Sequence, residues 1–216
     1  MRARGTVFAV AVACMLVGTV VVAGPKPKPG SGAWQLDCSF LDPQRITIKL
    51  PGDAGEMTYW YMLYTVTNRT GMDVQFFPSF SLVTDRLEVV TAGDDVHPLV
   101  YDTIAARHKK QYPFFAPPSK ITGPLLQGED NHRTSAAVFK EFDKEADAFT
   151  VFGGGLSGEI VRVINPAFDE STPESDDNVR WFVLRKTLAI IYDLPGDAES
   201  RDQAVPIRRN REWVMR

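Results

Sequence analysis

Met57-Thr-Tyr-Trp-Tyr-Met-Leu-Tyr-Thr-Val-Thr67 is the stretch whose reading decides the fold. In an extended chain successive side chains point to opposite faces. Trp60, Met62, Tyr64 and Val66 therefore share one face, and Tyr59, Tyr61, Leu63, Thr65 and Thr67 share the other. The run is rich in aromatic and β-branched residues, which suit a pleated surface. It reads as a strand with Trp60 in the core, and Asn68-Arg-Thr-Gly71 ends it with turn chemistry.

Working outward, Arg45 to Leu50 alternates apolar and polar residues and stops at Pro51-Gly52-Asp53, a strand followed by a turn. Val74 to Val83 resumes the period of two, with Pro78 marking an edge or a bulge. Gly128 opens a second strand set: Ala136–Phe142, Ala148–Phe152 and Glu159–Ile164, the last two separated by Gly153-Gly-Gly155. An acidic loop, Asp169 to Asn178, precedes a long strand from Arg180 to Leu194 that stops at Pro195-Gly196-Asp197. Val205 to Met215 adds a last strand. The region near 98–110 differs. Pro98 suits a first helical position, and Arg107-His-Lys-Lys110 places cations where a helix C-terminus favours them. About eight strands with no strand–helix alternation indicate an all-β sandwich or barrel with one short helical insertion.

The chain has 216 residues, with 24 Lys and Arg against 27 Asp and Glu. Met1-Arg-Ala-Arg4 is basic, Thr6 to Val22 is apolar and uncharged, and Val21 and Ala23 stand at −3 and −1 of a cleavage site before Gly24. These are the parts of a secretory signal over residues 1–23, with an uncleaved membrane anchor as the competing reading. Residues 24–33, with Pro25, Pro27 and Pro29, form an extended linker, and 34–216 is a single domain by length. Cleavage leaves 22 basic against 27 acidic residues, which argues against a nucleic-acid partner. It also removes Cys14 and leaves Cys38 without an internal disulfide partner. Cys38 sits between Leu36 and Phe40 as a small apolar residue.

Three strings carry a resemblance: Tyr59 to Asn68 with Thr70-Gly71, Gly128-Glu-Asp-Asn-His-Arg133 running to Val138-Phe139, and Arg185-Lys-Thr-Leu188 running to Leu194-Pro-Gly-Asp197. Together with the export signal they resemble a group of uncharacterised secreted proteins of planctomycete-type bacteria, over about residues 34 to 216. The first two strings are also similar to extracellular immunoglobulin-like modules, in turn grammar over two strands. The resemblance implies an immunoglobulin-like β-sandwich and no activity. The Cys…Trp…Cys spacing of antibody domains is absent.

Catalytic and metal signals are sparse. His97, His108 and His132 lack zinc-site spacing, and a copper site needs Cys38 and two of them to converge from distant loops. Gly155-Leu-Ser-Gly158 lacks the G-x-S-x-G spacing and reads as a glycine-rich hairpin. Asp169, Glu170, Glu174, Asp176 and Asp177 are weak calcium candidates whose spacing departs from an EF-hand, and a solvated loop is the other reading. Gly128 to Arg133 reads as a polar turn before a strand. If Trp60 points inward, Tyr59, Tyr61 and Leu63 point outward and form an aromatic interaction face, unless a segment such as 113–118 covers them.

The sequence thus predicts an exported protein, periplasmic, in the cell envelope or secreted, acting as a non-catalytic binding module without a cofactor. Its partner is a protein or a glycan, and it meets a membrane only through an uncleaved N-terminal segment. A structural component acting by strand-edge pairing, or a weak calcium-binding module, is the alternative. Mass spectrometry of the protein from its native host is expected to find an N-terminus near Gly24. An intact Met1 in soluble cytosol contradicts export.

Overall fold

The structure is a computed structural model that describes residues 33–51 and 55–216. The expected signal segment, nearly all of the linker and the Gly52-Asp53 turn lie outside the described residues. The elements run β1 (Asp37–Phe40), β2 (Gln44–Lys49), β3 (Glu56–Asn68), β4 (Val74–Phe76), β5 (Ser79–Thr84), β6 (Val89–Thr91), α1 (Pro98–His108) and α2 (Pro118–Ile121). They continue with β7 (Gly123–Leu125), β8 (Gly128–Lys140), β9 (Ala148–Gly154), β10 (Ile160–Ile164), β11 (Trp181–Asp193), a 3-10 turn (Arg201–Gln203) and β12 (Ile207–Met215). The fold is mainly β and sandwich-like, with antiparallel ladders throughout.

Two thirteen-residue strands, β3 and β11, organise the two large sheets. In the first sheet β8 lies along one edge of β3, while β2 and β1 lie end to end along the other. In the second sheet the order is β6-β5-β9-β11, with β12 on the far edge of β11. The sheets pack through Trp60, Met62, Tyr64 and Val66 of β3 and Ala137 and Phe139 of β8. These meet Phe80, Leu82, Phe149, Val151, Leu188, Ile190 and Tyr192 of the second sheet. Trp60 stacks on Phe142 at 5.7 Å between centroids and lies 6.2 Å from Phe149.

The opposite face of β3 is not an open surface. Tyr59, Tyr61 and Leu63 are buried, so the expected aromatic interaction face is corrected to a second core. Val100 and Ile104 of α1 cover it, one turn apart, with Tyr112 and Phe115 alongside. The cause is the amphiphilic reach of tyrosine. Tyr61 keeps its ring dry while its hydroxyl meets Gln44 Oε1 and His108 Nε2, each at 2.9 Å, and accepts from Arg107 Nη1 at 3.2 Å. Burial, then the charge of Arg107, lowers the His108 pKa and favours its neutral ring. At the other end of α1, Pro98 takes a first-turn position and His97 Nδ1 caps Leu99 N–H at 3.2 Å.

Two other expectations change. Gly128 to Arg133 is the start of β8, because Asn68 and Val66 of β3 pair with Gly128 and Arg133. Gly153 to Gly155 is where the chain passes close to another backbone, since a Cβ on Gly155 would stand 2.1 Å from Phe77 O.

Trp60→Ala is expected to cost about 3–5 kcal/mol in denaturant unfolding, as for large core aromatics. A loss below about 1 kcal/mol contradicts this placement.

Candidate functional site

The residues nominated by sequence do not converge. His97 caps α1, His108 holds Tyr61, and His132 bonds Glu129 O at 2.9 Å through Nδ1. Cys38 is buried on β1, and burial pushes its thiol up to about 12 against the opposing charge of Arg211, so it is no thiolate nucleophile at neutral pH. Ser157 donates to Trp34 O at 2.9 Å and accepts from Glu159 N–H at 3.1 Å, so its hydroxyl is engaged by backbone on both sides. Among the described residues no three His, Cys, Asp or Glu side chains gather as a metal site. The acids from Asp169 to Asp177 are spread along an exposed loop. The Asp169 carboxylate is occupied by Ser171 and Thr172 hydroxyls at 2.7 and 2.8 Å, which hold it below the usual carboxylate range.

That loop is the tip of a ribbon. The first five residues of β11, Trp181 to Arg185, pair with β10 in the register Ile160↔Arg185 to Ile164↔Trp181. β10 pairs with β11 alone. β-branched and aromatic residues build both strands, but neither sheet covers them. Ile160, Ile164, Trp181, Phe182 and Val183 stay 49, 66, 44, 46 and 47 % exposed. The pleat puts Val161, Val163, Phe182 and Leu184 on one face, which is wholly apolar, and Ile160, Ile164, Trp181 and Val183 on the other, where Arg162 and Arg185 stand among them. Monomeric proteins rarely leave contiguous apolar surface of this kind open.

The ribbon is braced at both ends. At the foot, Lys186 Nζ meets Glu159 Oε2 at 2.9 Å with both side chains nearly buried, and lies over the Trp213 ring. At the tip, Asn178 donates from Nδ2 to the carbonyls of Asp169 and Thr172, each at 3.0 Å, and Asn165 Nδ2 donates to Val179 O at 2.7 Å. Arg180 packs over Phe168. The tip segment 165–180 carries five acids and one base, Arg180.

No known protein family, curated protein or solved structure matches this chain.

What the site does must therefore be read from its edges. A free strand edge invites pairing, and three edges here are blunted. β6 is three residues long. β12 is bulged opposite Ile191 and Tyr192, and it points Arg208 and Arg211 inward over the Phe40 ring, each at 5.3 Å. Arg211 also donates to the Cys38 carbonyl on β1 at 3.2 Å, which occupies that edge too. A cleft of about 360 Å³ opens between β1 and β12, lined by Ser39, Thr65, Thr67 and Trp213. Both of its cations are engaged, Arg69 with Asp37 and Glu129 and Arg211 with the Cys38 carbonyl.

Sequence reasoning located the longer strands and the acidic tip of the ribbon but missed its exposure. One signal was present. A strand of thirteen residues spans about 43 Å at roughly 3.3 Å per residue. Its neighbour β9 has only seven residues, so part of β11 must overhang.

Proposed function

We propose that this chain is an exported, non-catalytic interaction module of the cell envelope that docks a protein partner through the β10–β11 ribbon. The observation that carries the reading is the ribbon's exposed apolar side chains, Phe182 on one face and Ile160, Ile164, Trp181 and Val183 on the other, left open by a fold that covers β3 on both sides. Apolar side chains on a braced two-stranded element offer a partner preformed contact area with little ordering left to do. Aliphatic and aromatic groups dominate the ribbon, which suits a protein partner better than a glycan. The acidic tip disfavours an anionic membrane surface.

The non-catalytic part rests on the structural employment of Ser157, Cys38, His97 and His108. Export rests on the basic, apolar and small-residue pattern of residues 1–23. Among the described residues no helix is long and apolar enough to cross a membrane.

A photo-crosslinking residue at Trp181 or Val183, in the native host, is expected to yield a discrete adduct. The same residue at exposed Leu87 or Val205, away from the ribbon, is expected to yield none. Ribbon positions that crosslink no more than these controls contradict the docking role.

A further inference from the structure

From Trp181 to Leu184, β11 has no partner on its β12 side among the described residues. Arg185 exchanges both backbone hydrogen bonds with Arg216, at 2.7 and 3.0 Å, on the β12 side. The Lys186 N–H points the other way, to Glu159 O at 3.0 Å, on the β10 side. Backbone groups alternate direction along a strand. The N–H and C=O groups of Trp181 and Val183 therefore point to the β12 side, where no described residue pairs with them. This edge carries Trp181, Phe182, Val183 and Leu184, without a bulge, a proline or a charge. The outer edge of β10, by contrast, has Arg162 at its centre, and a two-fold there would set two arginines against each other.

We propose that a second copy of this chain occupies the β11 edge, antiparallel, about a two-fold axis at Phe182. This inference rests on the docking role of the ribbon and names its partner. With the axis at Phe182, Trp181 lies opposite Val183 of the second copy and Val183 opposite its Trp181. Those are the residues whose backbone groups face outward, so the two pairs make four main-chain hydrogen bonds. Phe182 meets its counterpart at a non-hydrogen-bonded position, where side chains lie closest. The register one residue on fails: an axis at Val183 sets Trp181 against Arg185, whose edge Arg216 already fills.

Two further features agree. A two-stranded ribbon is marginal in water, whereas three or more strands with an apolar face are stable. The pairing turns two ribbons into one four-stranded sheet. It also directs each acidic tip, with five acids from Asp169 to Asp177, toward the Arg185 and Arg216 end of the other copy. The contact is self-complementary, as a closed two-fold interface requires.

The test uses the full chain carrying Cys14→Ser, with Cys38 buried and its thiol unreactive. Phe182→Cys is expected to form an intermolecular disulfide under mild oxidation, because non-hydrogen-bonded antiparallel partners lie within disulfide reach. Leu184→Cys, which this register holds away from its counterpart, is expected not to. By sedimentation velocity the protein with its native ribbon is expected to dimerise at micromolar concentration. Val183→Pro, which removes an outward N–H, is expected to weaken dimerisation roughly tenfold or more. Phe182→Lys, which opposes two cations at the axis, is expected to do the same if the proline variant misfolds. A monomer that forms no Phe182→Cys disulfide overturns the inference, as does a dimer that survives both substitutions. If ribbon crosslinks then give adducts of other than twice the chain mass, the docking role stands and the second copy does not. If there are no ribbon adducts, both fall.

Discussion

Large apolar side chains on both faces of one strand set the terms for the whole molecule. Along β3 a tyrosine, tryptophan, tyrosine, methionine, leucine and tyrosine follow one another from Tyr59 to Tyr64, and all six are buried. A strand with one apolar face needs one cover. This strand needs two, which is a demand usually met at the centre of a layered fold. The second sheet supplies one cover through Phe149, Leu188 and Tyr192. The helix α1 and the segment after it supply the other through Val100, Ile104 and Phe115. The polar cluster of Tyr61, Gln44, Arg107 and His108 is the seam that lets a tyrosine be buried and still hydrogen-bonded.

The same arrangement explains what stays uncovered. The first sheet covers β11 where Leu188, Ile190 and Tyr192 face Trp60, Met62 and Tyr64, and β11 continues past that cover. The overhang becomes the β10–β11 ribbon, closed at its foot by Glu159 and Lys186. Three other edges are short, bulged or stopped by arginine, those of β6, β12 and β1. An unpaired edge lined by exposed apolar side chains is the physical ground for proposing the ribbon as the working surface.

Much of the fold was legible in the sequence because period-two patterning reports which residues share a face. Trp60, Met62, Tyr64 and Val66 do line the core between the sheets, and Pro98 with Arg107 and His108 does mark the helix. What the pattern does not report is how many faces are covered. Tyr59 and Tyr61 read as exposed or buried according to whether another segment lies over them, and α1 announces itself with two buried residues only. The short strands at Asp37–Phe40, Val89–Thr91 and Gly123–Leu125 were missed because three or four residues carry no period. The polar beginning of β8 was missed because it is selected by pairing with β3, not by burial. At the ribbon, Val163 and Phe182 look like core residues in sequence. Only the length of β11 against its neighbours tells that they overhang.

The claim that stability is centred on a doubly covered β3 and absent from the ribbon is tested most directly by residue-resolved native-state hydrogen exchange. The protein must be dilute enough to be monomeric. Amides paired in the ladders from Tyr59 to Tyr64 should exchange only through global unfolding, and the outward amides of Trp181 and Val183 at least about a hundredfold faster. Equal protection of Trp181, Val183 and the β3 amides in the monomer would contradict the account. It would mean that the ribbon edge is covered within a single chain.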